Sequence, residues 1–504
     1  MPPSQTPVAA PPRICRSSHC PRPTSNGWNA PMRIEDILPL SPLQEGLLFH
    51  ALYAAQGPDV YTTQFDLGLQ GRLDGERLKT AAQALLQRHA SLRAGFQHDK
   101  LEKPVQIIVS AVTLPWHCID LSGLDADAQT AQLAGIVATE RTHRFDLTTP
   151  PLLRCTLIRL APERHRLLVT SHHILMDGWS VPVLIRELLT LYTKGGNIDA
   201  LPPVARYRDY LAWLAAQDRA AAAAAWQQAL AGLEEPTRLT AEATTSRAPL
   251  VPERITVALS EALTSGLTQQ ARQRGLTLNT YVQATWAILL GRLTGHDDVV
   301  FGVTVAGRPP ELPGIENMVG LFINTLPLRL KLPPQLTMGD FLAHVQDRQS
   351  ALSLHQHLGL AEIQQRAGLG ELFDTLVVFE NYPVDRAGLA AGANELRLSD
   401  IAGHDATHYP LTLTAAAGER IEIRLDHRGD LFDRAAAQTL LERLTRLLEA
   451  AVAAPERPIG SLDILSAAER RTLLVDWNDT ARELPRATLP ELFAAQARRT
   501  PDAV

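Results

Sequence analysis

The sequence predicts an α/β protein composed of two lobes, and three observations support this fold class. The chain has 504 residues, of which 45% are hydrophobic and 20% charged, a composition typical of globular proteins that bury a large core. Segments with helical periodicity alternate with short runs of β-forming residues, which predicts sheets covered by helices. This mixture recurs in both halves of the chain, so we expect two lobes that each combine helices with strands.

The first half is predicted to contain a helix, a buried strand and a second helix. Apolar residues at helical spacing between Leu78 and His89 predict the first helix, with Asp74 as its cap. Arg166–Ser171 is short, apolar and rich in β-formers, which favours a buried strand. Helical spacing resumes over Val181–Tyr192. The intervening segment, SHHILMDGWS, is therefore predicted to be a strand-to-helix loop.

The second half is predicted to repeat this mixture. We expect one helix over Leu211–Leu233, because the stretch is rich in alanine, and another that runs to Leu293 from a cap at Asn279. A long helix is expected over Ala435–Ala451. Strands are expected at the β-forming runs Val299–Val305, Leu326–Leu332, Thr375–Glu380 and Ile421–Leu425.

The composition excludes several classes of protein. A net charge of −6 without a basic block argues against nucleic-acid binding, because phosphate contacts need clustered Lys and Arg. No apolar run approaches the roughly 18 residues that a membrane helix requires. Four cysteines are too few for a disulfide framework in a chain this long, and the N-terminus lacks the apolar segment of a secretion signal. We therefore expect a cytoplasmic protein that binds neither membranes nor nucleic acids.

Residues 1–32 are rich in Pro, Ser and Arg and have no apolar periodicity, so we expect a disordered tail. Cys15, His19 and Cys20 lie close together within it. Because no second pair of ligands follows at zinc-like spacing, we predict no metal site there.

The strand-to-helix loop contains two adjacent histidines, His172 and His173, followed by Asp177 and Gly178. Neighbouring side chains at the end of a strand point in opposite directions, so only one imidazole faces a given cavity. A neutral imidazole is the usual proton acceptor near neutral pH, and Ser180 is expected at the N-cap of the next helix. The spacing alone leaves open a packed, hydrogen-bonded histidine, and a metal site is less favoured because no third ligand is visible.

Other motifs accompany this loop in a fixed order along the chain. They are LPLSPLQEGLLFH at Leu38–His50, RHASLRAGF at Arg88–Phe96, the set Tyr207, Asp209 and Trp213, and MVGLFINTLPLR at Met318–Arg329. With the HHxxxDG-WS string of the loop, they make the chain resemble the condensation domain of non-ribosomal peptide synthetases from about Ile34 to Leu465. Two later motifs are matched more loosely, at His355–Leu358 and Gly403–Leu411.

This resemblance implies two chloramphenicol-acetyltransferase-like lobes, residues 33–205 and 206–465, that form a V-shaped pseudo-dimer with the active-site tunnel between them. It also implies an amide-forming acyltransferase. A donor aminoacyl or peptidyl thioester and an acceptor aminoacyl thioester would arrive on the phosphopantetheine arms of upstream and downstream carrier domains. The chain has no phosphopantetheine attachment motif of its own, so no cofactor is expected on it.

The resemblance also implies roles for individual residues. His173 would act as general base or position the amine, and backbone N–H groups at Gly178 and Trp179 would stabilise the oxyanion. Asp177 would be structural and paired with Arg93, and His172 and Ser180 would be structural too. Candidates for lining the tunnel are Ser41, Gln44, Asn324, Thr325 and His355. No metal is implied.

The end of the chain, residues 466–504, resembles a linker and the first residues of an adenylation domain, most clearly over Leu473–Val504. No ATP-binding motif of such a domain follows, so we interpret the chain as a truncation beside an adjoining adenylation domain.

Four alternative functions fit the sequence less well than condensation. Gly178-Trp179-Ser180 favours condensation over an epimerisation domain of the same fold. The two histidines exclude a heterocyclising domain, and a soluble acyltransferase that uses coenzyme A would lack the other motifs. A catalytically silent module that recruits tailoring enzymes is disfavoured because the central His173 is present.

Overall fold

The computed structural model describes residues 33–53, 57–240, 250–381, 396–483 and 486–503. The predicted disordered tail, residues 1–32, lies outside these ranges together with Cys15, His19 and Cys20. The chain divides into two compact units, Met1–Leu462 and Asp463–Val504. Both predicted lobes therefore belong to the first unit.

The described strands of the first unit form three sheets. In chain order they are β1 Ile34–Pro39, β2 Thr62–Gln70, β3 Ala94–Gln97, β4 Val105–Val109, β5 Trp116–Asp120, β6 Leu153–Ala161, β7 Arg164–His172, β8 Glu253–Ala258, β9 Asp298–Val305, β10 Asn324–Lys331, β11 Thr375–Glu380, β12 Arg397–His404, β13 Leu411–Ala416 and β14 Glu422–His427. A three-stranded sheet has the order β1-β4-β3, a five-stranded sheet β12-β2-β7-β6-β5, and a six-stranded sheet β10-β9-β11-β13-β14-β8.

Helices cover these sheets and link their strands. Those described in the first unit are α1 Pro42–Tyr53, α2 Gly75–Arg88, α3 Ala126–Thr142, α4 Ser180–Thr193, α5 Tyr207–Ala215, α6 Arg219–Leu230, α7 Glu261–Arg274, α8 Leu278–Thr294, α9 Met338–Ser353, α10 Leu360–Ala367 and α11 Arg434–Ala453. The second unit contains α12 Ala467–Leu474 and α13 Leu489–Arg499. Within the described part of the chain, no helix combines the length and apolar character needed to cross a membrane.

The sheets define two lobes, as predicted, but one strand crosses between them. The first lobe contains the three- and five-stranded sheets, and the second contains the six-stranded sheet. β12 comes from the C-terminal half yet pairs antiparallel with β2 of the first lobe, from Arg397 opposite Gln70 to His404 opposite Gln64. The predicted division of the lobes at residue 205 is therefore wrong for β12.

Each lobe has its own buried helices. In the first lobe α2 packs against α4, and Leu78 and Leu86 of α2 are almost completely buried. In the second lobe α8 packs against α9 and α11, and its Tyr281 and Trp286 are buried. Because α8 is covered on several sides, it is apolar over most of its surface and not along one stripe only.

The structure confirms several local predictions and corrects others. Asp74 caps α2 by accepting hydrogen bonds from the N–H groups of Glu76 and Arg77. The stretch predicted as one helix over Leu211–Leu233 is two, α5 and α6, because Asp218 caps a new helix.

Two predicted caps are wrong by one or two residues. The cap of α8 is Thr277, whose hydroxyl accepts from the Thr280 N–H, and Asn279 lies inside the helix. Ser180 is the first residue of α4, and Trp179 takes the N-cap position.

Candidate active site

His172 ends β7 and is held entirely inside the first lobe. Its Nδ1 accepts a hydrogen bond from the Ile174 N–H at 3.1 Å, so the ring proton is on Nε2, which lies 3.2 Å from Asp59 Oδ2. Burial alone would raise the pKa of Asp59, but the hydrogen bond from His172 lowers it, as do the Tyr61 N–H and the positive charge of Arg144. Both side chains are buried, and His172 is not among the residues that line the cavity described below.

His173 begins the 3-10 helix His173–Leu175 and faces the cavity. Its main-chain N–H donates to the Tyr61 carbonyl at 2.8 Å, which anchors the loop to the residue before β2. Its Nδ1 lies 2.9 Å from the Met176 carbonyl, an acceptor only, so Nδ1 carries the proton. Nε2 is therefore a free lone-pair acceptor directed away from the backbone.

Asp177 is fully buried and accepts hydrogen bonds on both oxygens. Oδ1 accepts from Arg308 Nη2 at 2.9 Å and from the Ser180 N–H at 3.1 Å, and Oδ2 accepts from the Phe322 N–H at 3.2 Å. The Arg308 guanidinium also stacks on the Phe322 ring, 4.0 Å from its centre. The Asp177 carboxylate is thus enclosed by groups from both lobes, Ser180 from the first and Arg308 and Phe322 from the second.

The predicted pairing of Asp177 with Arg93 is wrong. Arg93 lies between α2 and β3, donates to Glu35 Oε2 at 2.7 Å and bonds the Val109 carbonyl. It therefore ties β1 and β4 to the end of α2 and stays within the first lobe. Sequence reasoning missed Arg308, whose only signal is its place in Gly307-Arg308-Pro309-Pro310, an irregular turn directly after β9.

Further bonds join the histidine loop to the segment before β10. The Asp177 N–H donates to the Gly320 carbonyl at 3.0 Å. Ser180 Oγ lies 3.1 Å from the same carbonyl and accepts from the Gly320 N–H at 3.2 Å. The position of the loop is therefore set jointly by both lobes.

A cavity of about 1420 Å³ opens beside His173 and is lined by residues of both lobes. Five of the predicted site residues line it: His173, Asp177, Gly178, Asn324 and Thr325. The lining also includes residues that were not predicted, among them His50, Tyr61, Phe65, Arg219, Glu380, Asp405, His408 and Arg424. Gly178 stands at the start of α4, and its N–H has no hydrogen-bond partner among the described residues. Trp179 is half-buried beside it and outside the lining.

Three of the predicted lining residues do not line this cavity. Gln44 is buried, accepts from the Ser41 N–H at 2.9 Å and donates to the Ile174 carbonyl at 3.0 Å, so both residues support the histidine loop from behind. His355 follows α9 and accepts from Trp226 through its carbonyl at 2.9 Å. Asn324 does line the cavity, while its Nδ2 donates to the Leu358 carbonyl at 2.8 Å.

An aromatic cluster forms part of the wall near Tyr61. His408 Nδ1 lies 2.5 Å from the Tyr61 hydroxyl, and the His50 ring stacks on His408 with 3.8 Å between ring centres. Burial lowers the pKa of His50 to about 4 and also lowers that of His408, which the charge of His50 depresses further. Both imidazoles are therefore neutral at neutral pH.

Charged side chains form another part of the wall. Arg424 Nη2 lies 2.6 Å from Glu380 Oε1, and Arg254 Nη2 lies 3.2 Å from Asp405 Oδ1. Burial raises the pKa of Glu380, and the charge of Arg424 opposes that shift. Across the described ranges, no group of three or more His, Cys, Asp or Glu side chains is arranged to hold a metal ion.

Known proteins resemble the chain over most of its length. A component of the linear gramicidin synthase of Brevibacillus parabrevis is 36% identical over 483 residues, which is 94% of this chain and 6% of that protein. Surfactin synthase subunit 3 of Bacillus subtilis (strain 168) is 31% identical over 474 residues, 94% of this chain and 37% of that protein. The chain thus spans a minor part of these relatives.

Solved structures share the fold. The first condensation domain of the CDA synthetase superposes with a TM-score of 0.72 at 21% identity, covering 86% of this chain and 100% of that one. The X-domain from teicoplanin biosynthesis gives a TM-score of 0.70 at 26% identity, covering 88% and 100%. These likenesses confirm the predicted class of two acetyltransferase-like lobes. The family model described as the condensation domain matches residues 34–474, and the chain therefore belongs to the condensation domain family.

Proposed function

We propose that this chain joins a donor aminoacyl or peptidyl thioester to the α-amine of an acceptor aminoacyl thioester in non-ribosomal peptide biosynthesis. The observation that carries the proposal is the position of the proton on the His173 ring. Its Nδ1 is engaged by the Met176 carbonyl, so the unprotonated Nε2 is left for a proton that the attacking amine must lose. His173 and Gly178 line one cavity, which puts a proton acceptor and a free N–H beside the same space.

Gly178 would stabilise the charge that develops on the thioester oxygen. Its N–H stands at the start of α4, where unpaired backbone donors and the helix dipole favour negative charge. Thioesters are activated acyl donors, and two substrates held in contact gain much of their rate from proximity. His173 and Gly178 therefore need to add only a modest further increase in the rate of amide formation.

The substrates would enter as phosphopantetheine thioesters on an upstream donor and a downstream acceptor carrier domain, and the chain would bind no cofactor of its own. The Asp463–Val504 unit fits a connection to an adjoining adenylation domain. A Ser466 capping box begins α12, and the exposed Leu489 and Phe493 of α13 leave an apolar surface that a neighbouring domain could cover.

The proposal is tested by mixing this chain with separately loaded donor and acceptor carriers and detecting the amide by mass spectrometry. We expect product with the wild type and a loss of at least about 100-fold in rate for His173→Ala. His117→Ala, at an exposed position of β5, is the matched control and should retain activity. An equally active His173→Ala variant would refute the assigned role.

The same samples separate two other functions of this fold. An epimerisation domain would exchange the α-hydrogen of a carrier-bound residue for deuterium without forming an amide. A silent recruiting module would give neither reaction yet bind a tailoring enzyme. The free Nε2 of His173 favours condensation over the silent module, which has no use for a proton acceptor in the cavity.

A further inference from the structure

The residue that follows β12 brings a carboxylate to the cavity that His173 faces. β12 pairs with β2 so that Gly403 lies opposite Phe65, and alternate residues of paired strands share a face. Phe65 and Gly403 both line the cavity, and so does Asp405, two residues further along. Asp405 is thus carried by the strand that crosses from the C-terminal half.

The strand register also sets the separation between Asp405 and the histidine loop. β2 pairs with β7 so that Gln64 lies opposite Thr170 and Thr62 opposite His172. His404 pairs with Gln64, so Asp405 lies one step further toward the end where His172 and His173 leave the sheet. Two strand spacings, about 10 Å of main chain, separate the two segments, which leaves room for a substrate amino group between their side chains.

One oxygen of Asp405 is engaged and the other is available. Oδ1 accepts from Arg254 Nη2 at 3.2 Å, and the same guanidinium binds Asp426 at 2.6 and 2.8 Å. Oδ2 has no hydrogen-bond partner among the described residues. The side chain is 48% exposed, and Asp405 is one of the residues that line the cavity.

Nearby charges keep the carboxylate ionised. Burial alone would raise the pKa of Asp405, but the positive charges of Arg424 and Arg254 lower it, and a protonated His173 would lower it further. Glu380 lines the same wall, but it is paired with Arg424 at 2.6 Å and only 19% exposed. Asp405 therefore lines the cavity as an ionised carboxylate, and no described protein group forms a hydrogen bond with its Oδ2.

We propose that Asp405 Oδ2 binds the α-amino group of the acceptor substrate and directs it toward the thioester between Asp405 and His173. This inference rests on the proposed function and adds the residue that recognises the acceptor amine. A carboxylate is the ordinary partner for an amino group that carries or develops positive charge.

In this step the amine nitrogen forms a bond to the thioester carbonyl carbon, whose π electrons move to the oxygen beside the Gly178 N–H. The nitrogen becomes positively charged, and the Asp405 carboxylate stabilises that charge until Nε2 of His173 takes the proton. When the C–S bond breaks, the thiolate receives this proton, so an amide and a thiol form and both side chains return to their starting states.

The inference is tested by binding, which does not depend on turnover. The probes are a stable amide analogue of alanyl-pantetheine, which carries the amine, and its propionyl counterpart, which lacks it, both titrated into the full chain by calorimetry. We expect the wild type to bind the amine-bearing probe about 10- to 100-fold more tightly. Asp405→Asn, which retains an oxygen for Arg254, should bind the two probes almost equally.

Asp400→Asn is the matched control, because Asp400 lies on β12, is bound by Arg166 at 2.6 Å and does not line the cavity. It should retain the preference for the amine. The inference is overturned if the wild type shows no preference, or if Asp405→Asn keeps it. Failure of the proposed function has a different signature, since no amide would then form from loaded carriers with the wild-type chain.

Discussion

Asp177 and Arg308 form a buried ion pair that joins the two lobes, with Asp177 Oδ1 2.9 Å from Arg308 Nη2. The side chains are 0% and 7% exposed, so neither charge is solvated if the other is removed. Because Asp177 also accepts from the Ser180 and Phe322 N–H groups, the pair determines the shape of the loop that carries His173. The second lobe thereby contributes to a site whose central motif belongs to the first.

Replacement of Arg308 by methionine should disrupt this loop. The change leaves the Asp177 carboxylate buried without its cation, which costs about 3–5 kcal/mol for a buried pair. We expect a corresponding fall in the free energy of unfolding, measured by urea denaturation, together with a large loss of amide formation. Arg186→Met is the control, because Arg186 of α4 binds the exposed Asn317 at 3.0 Å and should change stability little. Equal stability of the two variants would contradict the prediction.

Much of this site could be predicted from local sequence. The part that could not be predicted depends on contacts between residues that are far apart in the chain. The strand–loop–helix around His172 and His173 was predictable because β-forming residues, a glycine and helical spacing are adjacent there. The partner of Asp177 was not, since several arginines are chemically equivalent in the sequence. Only the packing of the turn after β9 against α4 selects Arg308 over Arg93.

The same distinction applies to the fold. Asp74 was predictable as a helix cap because its acceptor role is satisfied two and three residues away. Asn279 and Thr277, two residues earlier, are both suitable cap residues by sequence, and the backbone geometry selects Thr277. Neither β12 nor its place beside β2 was predicted from the sequence: no strand was expected over Arg397–His404, and a strand pattern does not specify which sheet edge a strand joins.

Gly307 is predicted to be intolerant of a side chain. It has φ of +60°, and an added Cβ would lie 1.9 Å from the Phe322 carbonyl oxygen. Gly307→Ala should therefore destabilise the chain by more than the roughly 1–2 kcal/mol of the left-handed backbone alone, and it should displace the adjacent Arg308. The thermal unfolding temperature and the rate of amide formation should both fall.

Gly135→Ala is the matched control for this substitution. Gly135 lies inside α3 with nothing within 4 Å of an added Cβ, so alanine should stabilise the helix by about 0.5–1 kcal/mol and leave activity unchanged. A Gly307→Ala variant as stable and active as the wild type would show that the turn after β9 has no fixed geometry.

The lowered pKa of the buried His50 imidazole predicts that the folded chain loses stability on mild acidification. Burial lowers its pKa to about 4 in the folded chain, against about 6.5 when unfolded. The contribution of His50 to the free energy of unfolding is greatest well above pH 6.5, because the ring is then neutral in both the folded and the unfolded chain. It declines as the pH falls toward 4, because the unfolded chain binds a proton that the folded chain does not. Between pH 7 and pH 5 this amounts to roughly 2 kcal/mol.

This contribution is measured by urea denaturation of the wild type and His50→Gln at pH 7, 6 and 5. The variant should lose less stability over this range than the wild type. His117→Gln, at an exposed site, should follow the wild-type curve. A His50→Gln curve parallel to that of the wild type would mean that the folded chain accommodates the protonated ring.

The crossing strand predicts that the first lobe does not fold alone. β12 covers the edge of β2 and is held there by Arg166, which binds Asp66 of β2 at 2.7 Å and Asp400 of β12 at 2.6 Å. A fragment of residues 33–205 lacks β12 and exposes a long strand edge, which is a template for aggregation.

We expect this fragment to be insoluble or to lack a cooperative unfolding transition by circular dichroism, whereas residues 33–462 should be soluble and unfold cooperatively. Co-expression of the fragment with residues 206–462 should restore solubility, because the second fragment supplies β12. A soluble, cooperatively folded 33–205 fragment would show that β12 is dispensable for the first lobe. In that case the first lobe would fold without β12, and the role of β12 would be to place Asp405 in the wall of the cavity.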